Sequence, residues 1–349
     1  MTKPVATEQA AAQQAGRPSP VPLLQLTVGF FSSKALQSAV ELDVFTALAQ
    51  HPSTEEELRD RIGLHPRASR DFLDALVALN LLEREEGRYR PTPATGLFLN
   101  RESPAYVGGL AEFAAHTLYQ KWGNLTEALR TGKPQGTAGS DLLETMYADP
   151  DVGRKFMAAM DVVSDRVGAA LADVLDWSAA HSFVDVGGAR GNLAAVLVRM
   201  HPHLTGICFD LPPVRSLFDE HIAALGLTES VSFHGGDFEQ DPLPSADVLI
   251  FGHVLHGASD EDRRMLLGKA YRALPAGGRV AIYDRMIDDD RRGAPLSLLG
   301  SLNMLLTTAG GSEYTPSECR ALLEEVGFAD FAAQPIAGTE TLVTASKPN

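Results

Sequence analysis

Residues 183–193 read FVDVGGARGNL, and this stretch decides the fold of the chain. Its pattern predicts a buried strand, a glycine turn and the start of a helix, and a second strand ends at Phe209-Asp210-Leu211. Glycines let the backbone approach a ligand closely, and a helix start offers unpaired N–H groups. An Asp at the tip of the next strand can accept hydrogen bonds from both hydroxyls of a ribose. The stretch therefore predicts a cofactor that contains a nucleoside.

Length and composition indicate a soluble globular protein of two domains. The chain has 349 residues, 44% of them hydrophobic and 21% charged, and single cores rarely grow beyond about 250 residues. The formal net charge of -15 repels polyanions, so neither nucleic acid nor a membrane is expected as a partner. The sequence has no signal peptide and no apolar run of about 18 residues, so the expected location is cytoplasmic.

The two cysteines, Cys208 and Cys319, fall in a predicted core strand and a predicted helix. They do not form a pair with metal-ligand spacing. We therefore expect inert, buried thiols in a reducing compartment and no metal site.

The hydrophobic patterns divide the chain into four segments. Residues 1–20 are rich in Ala, Gln and Pro without periodicity, which predicts a disordered tail. Residues 21–100 are mainly helical and include a predicted hairpin at 81–92, an arrangement typical of winged-helix domains. Residues 101–177 continue as helices, and residues 178–349 alternate between strands and helices.

The start of the second segment is unusually apolar. Large apolar residues recur on nearly all sides between Leu23 and Leu42, so a helix here must bury more than one face. A partner subunit would supply the second face. The helix expected to contact DNA in a winged-helix domain carries only Arg67 and Arg70 as basic residues, which argues against DNA binding.

The last segment predicts an α/β fold built on an open, Rossmann-like sheet. Helices are expected to begin near Gly191, Pro213 and Asp260. A helix at 316–326 precedes a closing antiparallel hairpin. The predicted parallel strands are 182–187, 205–210, 230–234, 246–252 and 278–284, and the hairpin strands are 328–335 and 340–346.

The spacing of the glycines narrows the choice of cofactor. A nicotinamide site is typical of Gly-x-Gly-x-x-Gly, which Gly187, Gly188 and Gly191 fit poorly. The S-adenosylmethionine turn, Asp-x-Gly-x-Gly-x-Gly, fits if Ala189 replaces the middle glycine. The closing antiparallel hairpin also favours a methyltransferase sheet over a dehydrogenase sheet.

A second motif, Gly235-Gly236-Asp237-Phe238, directly follows a predicted strand. Asp237 can accept a hydrogen bond from the adenine amino group, and the Phe238 ring can lie against the adenine face. The other interpretation is an ordinary turn with a solvated Asp. Because open α/β sheets bind ligands at the carboxyl ends of their strands, this motif, Asp210 and the glycine turn are expected at one site.

Further segments match a known family in order. They are Phe156-Met157-Ala158-Ala159-Met160 with Ser164, residues 244–256, and Gly310-Gly311-Ser312-Glu313-Tyr314-Thr315. With them, residues 22–346 resemble the class I S-adenosylmethionine-dependent O-methyltransferases of the caffeic-acid type and their bacterial relatives that act on aromatic polyketides.

This resemblance implies S-adenosylmethionine as the cofactor and S-adenosylhomocysteine as its product. It implies a class I methyltransferase sheet in 178–349 and a connector in 101–177 that lines the substrate pocket. It also implies that the winged-helix domain in 21–100 interlocks two subunits into a homodimer.

The resemblance places the catalytic base on His256 and its acidic neighbours on Asp284 and Glu313. A phenol with a pKa of about 10 is mostly protonated at neutral pH, so an imidazole that removes its proton assists attack on a sulfonium methyl. A carboxylate at the other ring nitrogen fixes the tautomer and stabilises the imidazolium. The other interpretation of His256 is a polar loop residue at the end of a strand.

The cofactor and substrate candidates come from the patterns and the resemblance together. His253 is either structural or a neighbour of the cofactor, and Met160 and Met304 have the best matching positions in the substrate set. The cofactor candidates are Ser164, Asp185, Gly187, Gly188, Gly191, Asp210, Leu211, Gly236, Asp237, Phe238, Gly252 and His253. The substrate candidates are Phe113, His116, Trp122, Phe156, Met160, Asn303 and Met304.

Four positions depart from the family pattern. Gly257 and Ala258 replace the usual Asp or Asn and Trp after the histidine, and Gly252 stands where plant members carry a Lys near the adenosyl group. Arg190 is an unusual residue in the glycine turn, where it would pair with the methionyl carboxylate or point to solvent.

The function predicted from the sequence is methylation of a phenolic hydroxyl of a small aromatic natural product. Transfer of the methyl group to carbon or nitrogen of a related substrate is an alternative. An alternative of another class is a winged-helix ligand-binding regulator, which the acidic charge disfavours.

Overall fold

The computed structural model describes residues 18–135 and 150–349. Residues 1–17 of the predicted tail lie outside the described residues. The described chain divides into two compact units, one ending at Tyr106 and the other beginning at Val107. Within the described ranges, no helix is long and apolar enough to cross a membrane.

The first unit combines helices with a two-stranded hairpin. Thr54 starts one helix with a capping box, because its hydroxyl accepts from the Glu57 N–H and the Glu57 carboxylate accepts from the Thr54 N–H. The elements described in this unit are α1 (Val21–Thr27), α2 (Phe30–Glu41), α3 (Val44–Gln50), α4 (Glu55–Ile62), α5 (Pro66–Ala78), β1 (Leu82–Glu85), β2 (Arg88–Pro91) and α6 (Pro93–Phe98).

The apolar stretch near the start of this unit forms two helices rather than one. The helical pattern breaks between α1 and α2 at Val28, whose φ of -102° and ψ of 8° depart from helical values. Leu24, Leu26 and Phe31 are 61%, 80% and 60% exposed in the single chain. The segment therefore presents a large apolar surface, as the composition predicts.

The second unit opens with helices and continues into the α/β region. Ala114–Leu118 is a π-helical turn between α7 and α8. The helices described before the sheet are α7 (Gly108–Phe113), α8 (Tyr119–Trp122), α9 (Leu125–Thr131) and α10 (Pro150–Val174).

Seven strands form one mixed sheet and follow the predicted order along the chain, whereas the helix Pro295–Thr307 was not predicted. The strand order is β5-β4-β3-β6-β7-β9-β8, with β9 antiparallel to both of its neighbours. The elements are β3 (Ser182–Val186), α11 (Asn192–Met200), β4 (Thr205–Asp210), α12 (Arg215–Ala224), β5 (Val231–Gly235), β6 (Val248–Gly252), α13 (Asp260–Ala273), β7 (Arg279–Asp284), α14 (Pro295–Thr307), α15 (Pro316–Val326), β8 (Ala329–Ile336) and β9 (Glu340–Ser346).

Apolar side chains cover both faces of the sheet. Phe183 and Cys208 pack with α10, α11 and α12 on one face, whereas Val184 and Phe209 pack with α13 and α15 on the other. Burial on both sides explains why these strands are almost continuously hydrophobic. Cys208 and Cys319 are both free and buried, as expected.

Candidate active site

The glycine turn lies between β3 and α11. Its first N–H, from Gly187, donates to the Phe209 carbonyl at 2.8 Å and fastens the turn to β4. Ala189 adopts a φ of 50°, in the left-handed region that costs a non-glycine residue roughly 1–2 kcal/mol. Its N–H donates to the Asp210 carboxylate at 2.8 Å, which offsets part of this cost.

Asp210 connects the tip of β4 to the turn. One carboxylate oxygen accepts from Ala189, and the other accepts from the Leu211 N–H at 2.7 Å. Burial raises the pKa of Asp210, and the two backbone hydrogen bonds oppose this rise. Each oxygen keeps a second lone pair, so the carboxylate can still accept ribose hydroxyls.

Asp185 is a second buried acid at this edge of the sheet. No described residue donates a hydrogen bond to its side chain. Burial, with the nearby charge of Asp210, raises the pKa of Asp185 to about 8. A Cβ on Gly188 would lie 2.8 Å from an Asp185 carboxyl oxygen. A buried acid without a donor, next to a turn without side chains, suits a ligand that brings N–H donors or positive charge.

Arg190 pairs with Asp161 on α10. Its Nε donates to Asp161 Oδ2 at 2.8 Å, and its guanidinium makes a second contact with the same oxygen. Burial raises the pKa of Asp161 to about 6, although Arg190 opposes this rise. The side chain of Arg190 is only 17% exposed, so of the two alternatives the one in which it points to solvent is wrong. The pair fastens α10 to the glycine turn.

The motif after β5 forms a turn stabilised by its own residues. The Asp237 carboxylate accepts from the Glu239 N–H at 2.8 Å and from the Gln240 amide at 2.9 Å. A Cβ on Gly236 would lie 2.7 Å from the Phe209 ring, so packing alone requires this glycine. Phe238 packs partly against the core. These contacts agree with the ordinary-turn interpretation, and the adenine contacts stay a prediction.

Three residues distant in sequence meet at the ends of β6 and β7. His256 lies in a short 3₁₀ turn, Leu255–Gly257, just beyond β6. Its Nδ1 lies 2.9 Å from Glu313 Oε1 and 3.7 Å from Asp284 Oδ1. Asp284 is fully buried, and Glu313 is 3% exposed. We call His256, Asp284 and Glu313 the catalytic corner, after the role that the resemblance predicts for them.

The surroundings of the catalytic corner make His256 more basic. Burial by itself lowers the pKa of His256, but the charge of Asp284 and the hydrogen bond and charge of Glu313 outweigh it, so the net pKa is raised. Burial also raises the pKa of Asp284 to about 6, against the effect of the nearby imidazole. The Asp284 carboxyl lies 3.7 Å from His256 Nδ1, close enough for its ionised form to stabilise an imidazolium.

Two side chains that the sequence analysis did not identify complete the corner. The Tyr314 hydroxyl donates to Asp284 Oδ2 at 2.5 Å. Arg263 is buried on α13 and lies over the Tyr314 ring, 4.5 Å from its centroid. Asp284 Oδ1 and Glu313 Oε2 have no hydrogen-bond partner among the described residues. Both unpaired oxygens are acceptors for donors brought by a ligand.

His253 lies beside the catalytic corner in the left-handed region, with a φ of 54°. Its Nδ1 is 3.8 Å from Asp284 Oδ1, and its ring centroid is 5.5 Å from that of His256. Burial, followed by the charges of His256 and Arg285, lowers the pKa of His253 to about 3, so the ring is neutral. Ligand atoms of His253, His256 and Asp284 lie within 4.8 Å of one another, a spacing that a metal could use, although Glu313 already engages His256 Nδ1.

Tyr283 fills the space beside Gly252, which the sequence analysis did not anticipate. The two residues are register partners on β7 and β6. A Cβ on Gly252 would lie 2.0 Å from the Tyr283 hydroxyl and ring. The glycine is therefore required by its neighbour, and the tyrosine occupies the volume next to the position where plant members carry a Lys.

The substrate candidates are partly brought together. The Trp122 indole N–H donates to Asn303 Oδ1 at 3.1 Å, which joins α8 to α14. His116 is exposed, whereas Phe113, Met160 and Met304 are half-buried. The Ser164 hydroxyl donates to the Met160 carbonyl within α10. Phe156 also lies on α10, but its side chain is outside the described ones.

The sheet order, with its reversed last pair, and the glycine turn define the class of S-adenosylmethionine-dependent methyltransferases. The sequence profile of the O-methyltransferase domain matches residues 122–329, and that of the O-methyltransferase dimerisation domain matches residues 24–101. The chain therefore belongs to the O-methyltransferase family. It is an enzyme that uses S-adenosylmethionine.

The chain is similar to characterised members of this family. It is 54% identical to the tetracenomycin polyketide synthesis 8-O-methyl transferase TcmO of Streptomyces glaucescens, over 94% of this chain and 97% of the relative. It is 43% identical to the N,N-dimethyltransferase OxyT of Streptomyces rimosus, over 93% and 96%. The crystal structure of human N-acetylserotonin methyltransferase in complex with SAM superposes with a TM-score of 0.87 at 30% identity, over 96% of this chain and 99% of that one.

Proposed function

We propose that this enzyme methylates a phenolic hydroxyl of an aromatic polyketide and that His256 is the general base. The observation that carries this proposal is the hydrogen bond of His256 Nδ1 to the buried Glu313 carboxylate at 2.9 Å. With Nδ1–H donating to Glu313, the ring presents Nε2 as a proton acceptor. This tautomer is the one that a general base needs.

The side chains of the corner move and stabilise one proton. His256 Nε2 would accept the phenol proton as the oxygen bonds to the methyl carbon, and the electrons of the broken carbon–sulfur bond would stay on sulfur in the departing thioether. The imidazolium that results is stabilised by Glu313 at 2.9 Å and Asp284 at 3.7 Å. The cofactor supplies an electrophilic methyl group on a sulfonium when it is bound. Alignment of the oxygen with that group supplies a further large part of the acceleration.

The cofactor is proposed to lie along the carboxyl ends of β3, β4 and β5. Asp185 would receive the methionyl ammonium, because its buried carboxyl lacks a donor among the described residues. Asp210 would accept the ribose hydroxyls, and Asp237 and Phe238 would contact adenine. The bare backbone at Gly187, Gly188 and Gly191, with Leu211, Gly236, Gly252, His253 and Ser164 around it, completes the proposed site.

The substrate class is inferred from a relative and from the site. TcmO, whose name gives an 8-O-methyl transferase of tetracenomycin polyketide synthesis, is 54% identical over nearly the whole chain. The catalytic corner is suited to an acidic hydroxyl, since it combines a base with two carboxylates that stabilise its protonated form. N-methylation is a second candidate, because OxyT, at 43% identity, is named as an N,N-dimethyltransferase.

A homodimer is proposed through the first unit. The dimerisation-domain profile covers α1 and α2, where large apolar residues are exposed in the single chain. Burial of apolar side chains is worth about 25 cal/mol per Å², so this surface favours association.

The test is a transfer assay with methyl-labelled S-adenosylmethionine and three acceptor classes. They are polycyclic polyketide phenols, simple phenols and aromatic amines of matched size. We expect label on an aryl oxygen of a polycyclic phenol, located by mass spectrometry and NMR. Label found only on nitrogen or ring carbon would overturn O-methylation of a phenol, and unchanged transfer by His256→Ala would overturn only the base assignment.

A further inference from the structure

The loop that carries His256 packs Leu255 and Ala258 against the core, but the residue directly after the histidine is a glycine. Gly257 and Ala258 follow the histidine, and a Cβ on Gly257 would have no neighbour within 4 Å. The loop also packs backbone to backbone against residues 308–312, since a Cβ on Gly311 would lie 2.6 Å from the His256 carbonyl oxygen. Two short, glycine-containing loops therefore set the distance between His256 and Glu313.

Arg263 binds both of these loops. Its Nε donates to the Leu255 carbonyl at 2.8 Å, directly before His256. Its NH2 donates to the carbonyl and the hydroxyl of Ser312, directly before Glu313. Its NH1 donates to the Asp260 carboxylate at 2.9 Å. One planar group thus links the segments that present the base and its carboxylate.

The same guanidinium reaches the third member of the catalytic corner through Tyr314. It lies 4.5 Å from the centroid of the Tyr314 ring, and the Tyr314 hydroxyl donates to Asp284 at 2.5 Å. Arg263 is only 2% exposed. A buried cation is costly unless its donors are satisfied, and here four hydrogen bonds and an aromatic face satisfy it.

We propose that Arg263 is a positioning residue for methyl transfer, which fixes His256, Glu313 and Asp284 relative to one another. This inference rests on the proposed role of His256. Lysine cannot replace the group fully, because an ammonium lacks the fork geometry that reaches two loops at once. The neighbouring Arg264 carries the same charge and lies on the same helix, but its side chain is half-exposed and pairs with Glu325.

The test compares Arg263→Met, Arg263→Lys and Arg264→Met in the full chain. For Arg263→Met we expect kcat to fall between about 10- and 100-fold, as a misplacement near 1 Å would produce, with the KM for S-adenosylmethionine unchanged. The acidic limb of its pH–rate profile should move to lower pH, because His256 is then held less closely to its two carboxylates. Arg263→Lys should recover part of kcat, and Arg264→Met should match the wild type.

A folded Arg263→Met enzyme with wild-type kcat and pH profile would overturn the inference. If that variant does not fold, Tyr314→Phe keeps the ring and removes only the hydrogen bond to Asp284. It should then show a lower kcat and a shifted pH profile, and wild-type values for both would count against the inference. His256→Ala is measured in parallel as a separate test of the base assignment. If that variant keeps the wild-type rate, the base assignment fails whatever the Arg263 variants show.

Discussion

The glycine turn and the catalytic corner are built in opposite ways. The turn is contiguous in sequence, and backbone hydrogen bonds and the absence of side chains shape it, with Gly187 bonded to β4 and no space for a Cβ at Gly188. The corner consists of the side chains of His256, Asp284 and Glu313, which are distant in sequence and which the order of β6 and β7 brings together. Residues that are neighbours in sequence can therefore form a ligand-binding turn. A histidine paired with carboxylates needs segments that are distant in sequence to meet in the fold.

The two regions also differ in how they treat charge. The turn buries Asp185 and Asp210, and among the described residues its one arginine, Arg190, pairs with Asp161 instead, so burial raises the pKa of both acids. The corner pairs its carboxylates with an imidazole and a tyrosine hydroxyl, and both of these oppose the rise that burial causes in the pKa of Asp284. The first arrangement suits a cationic or donor-rich ligand, and the second suits proton transfer.

The largest expected effect separates chemistry from cofactor binding. His256→Ala removes the proposed base, so kcat should fall roughly 10²–10⁴-fold, while the Kd for S-adenosylmethionine changes little. Single-turnover rates and calorimetric binding measure the two quantities. His203→Ala, an exposed histidine that contacts the Trp177 carbonyl, is the matched control and should keep the wild-type rate. Parallel loss of binding and rate would show that the two regions are not separable in this way.

The next largest effect tests the packing of the glycine turn. Gly191→Ala places a Cβ 2.7 Å from the Phe218 ring at a φ of 82°. Strain and overpacking together should lower the free energy of unfolding by about 2–4 kcal/mol and weaken cofactor binding. Gly226→Ala is the control, because it has a φ of 70° and no atom within 4 Å of the new Cβ. Equal destabilisation of both variants, measured by thermal unfolding, would refute the packing argument.

A smaller effect tests the electrostatics of the corner. The neutral imidazole is the active form, so the rate should rise as pH rises through the pKa of His256, which lies above its usual value. Glu313→Gln removes a charge that raises this pKa, so the acidic limb should move to lower pH and kcat should fall about 10-fold. Glu324→Gln, at an exposed pair with Arg320, should leave the profile unmoved. An unmoved limb in Glu313→Gln would show that Glu313 does not set the basicity of His256.

Much of the fold could be predicted from the sequence because its signals are local. The strand–turn–helix pattern at 183–193, the capping residues and the closing hairpin each depend on neighbours in the chain. The apolar stretch at 23–42 is predicted as one segment, yet it forms two helices, because the backbone leaves helical geometry at Val28. The motif at Asp237 does not by itself distinguish a ligand contact from an ordinary turn, since the Asp237 carboxylate makes hydrogen bonds within its own turn.

By itself, the sequence determined the class of sheet and the glycine turn, because periodicity and motifs report local conformation, and its resemblance to a known family supplied His256, Asp284 and Glu313 as candidates. Only the tertiary structure revealed the partners that position them. Arg190 with Asp161, Tyr283 over Gly252, and Arg263 between two loops are contacts across many residues. No local pattern marks such contacts, since they arise when separate strands and helices pack together.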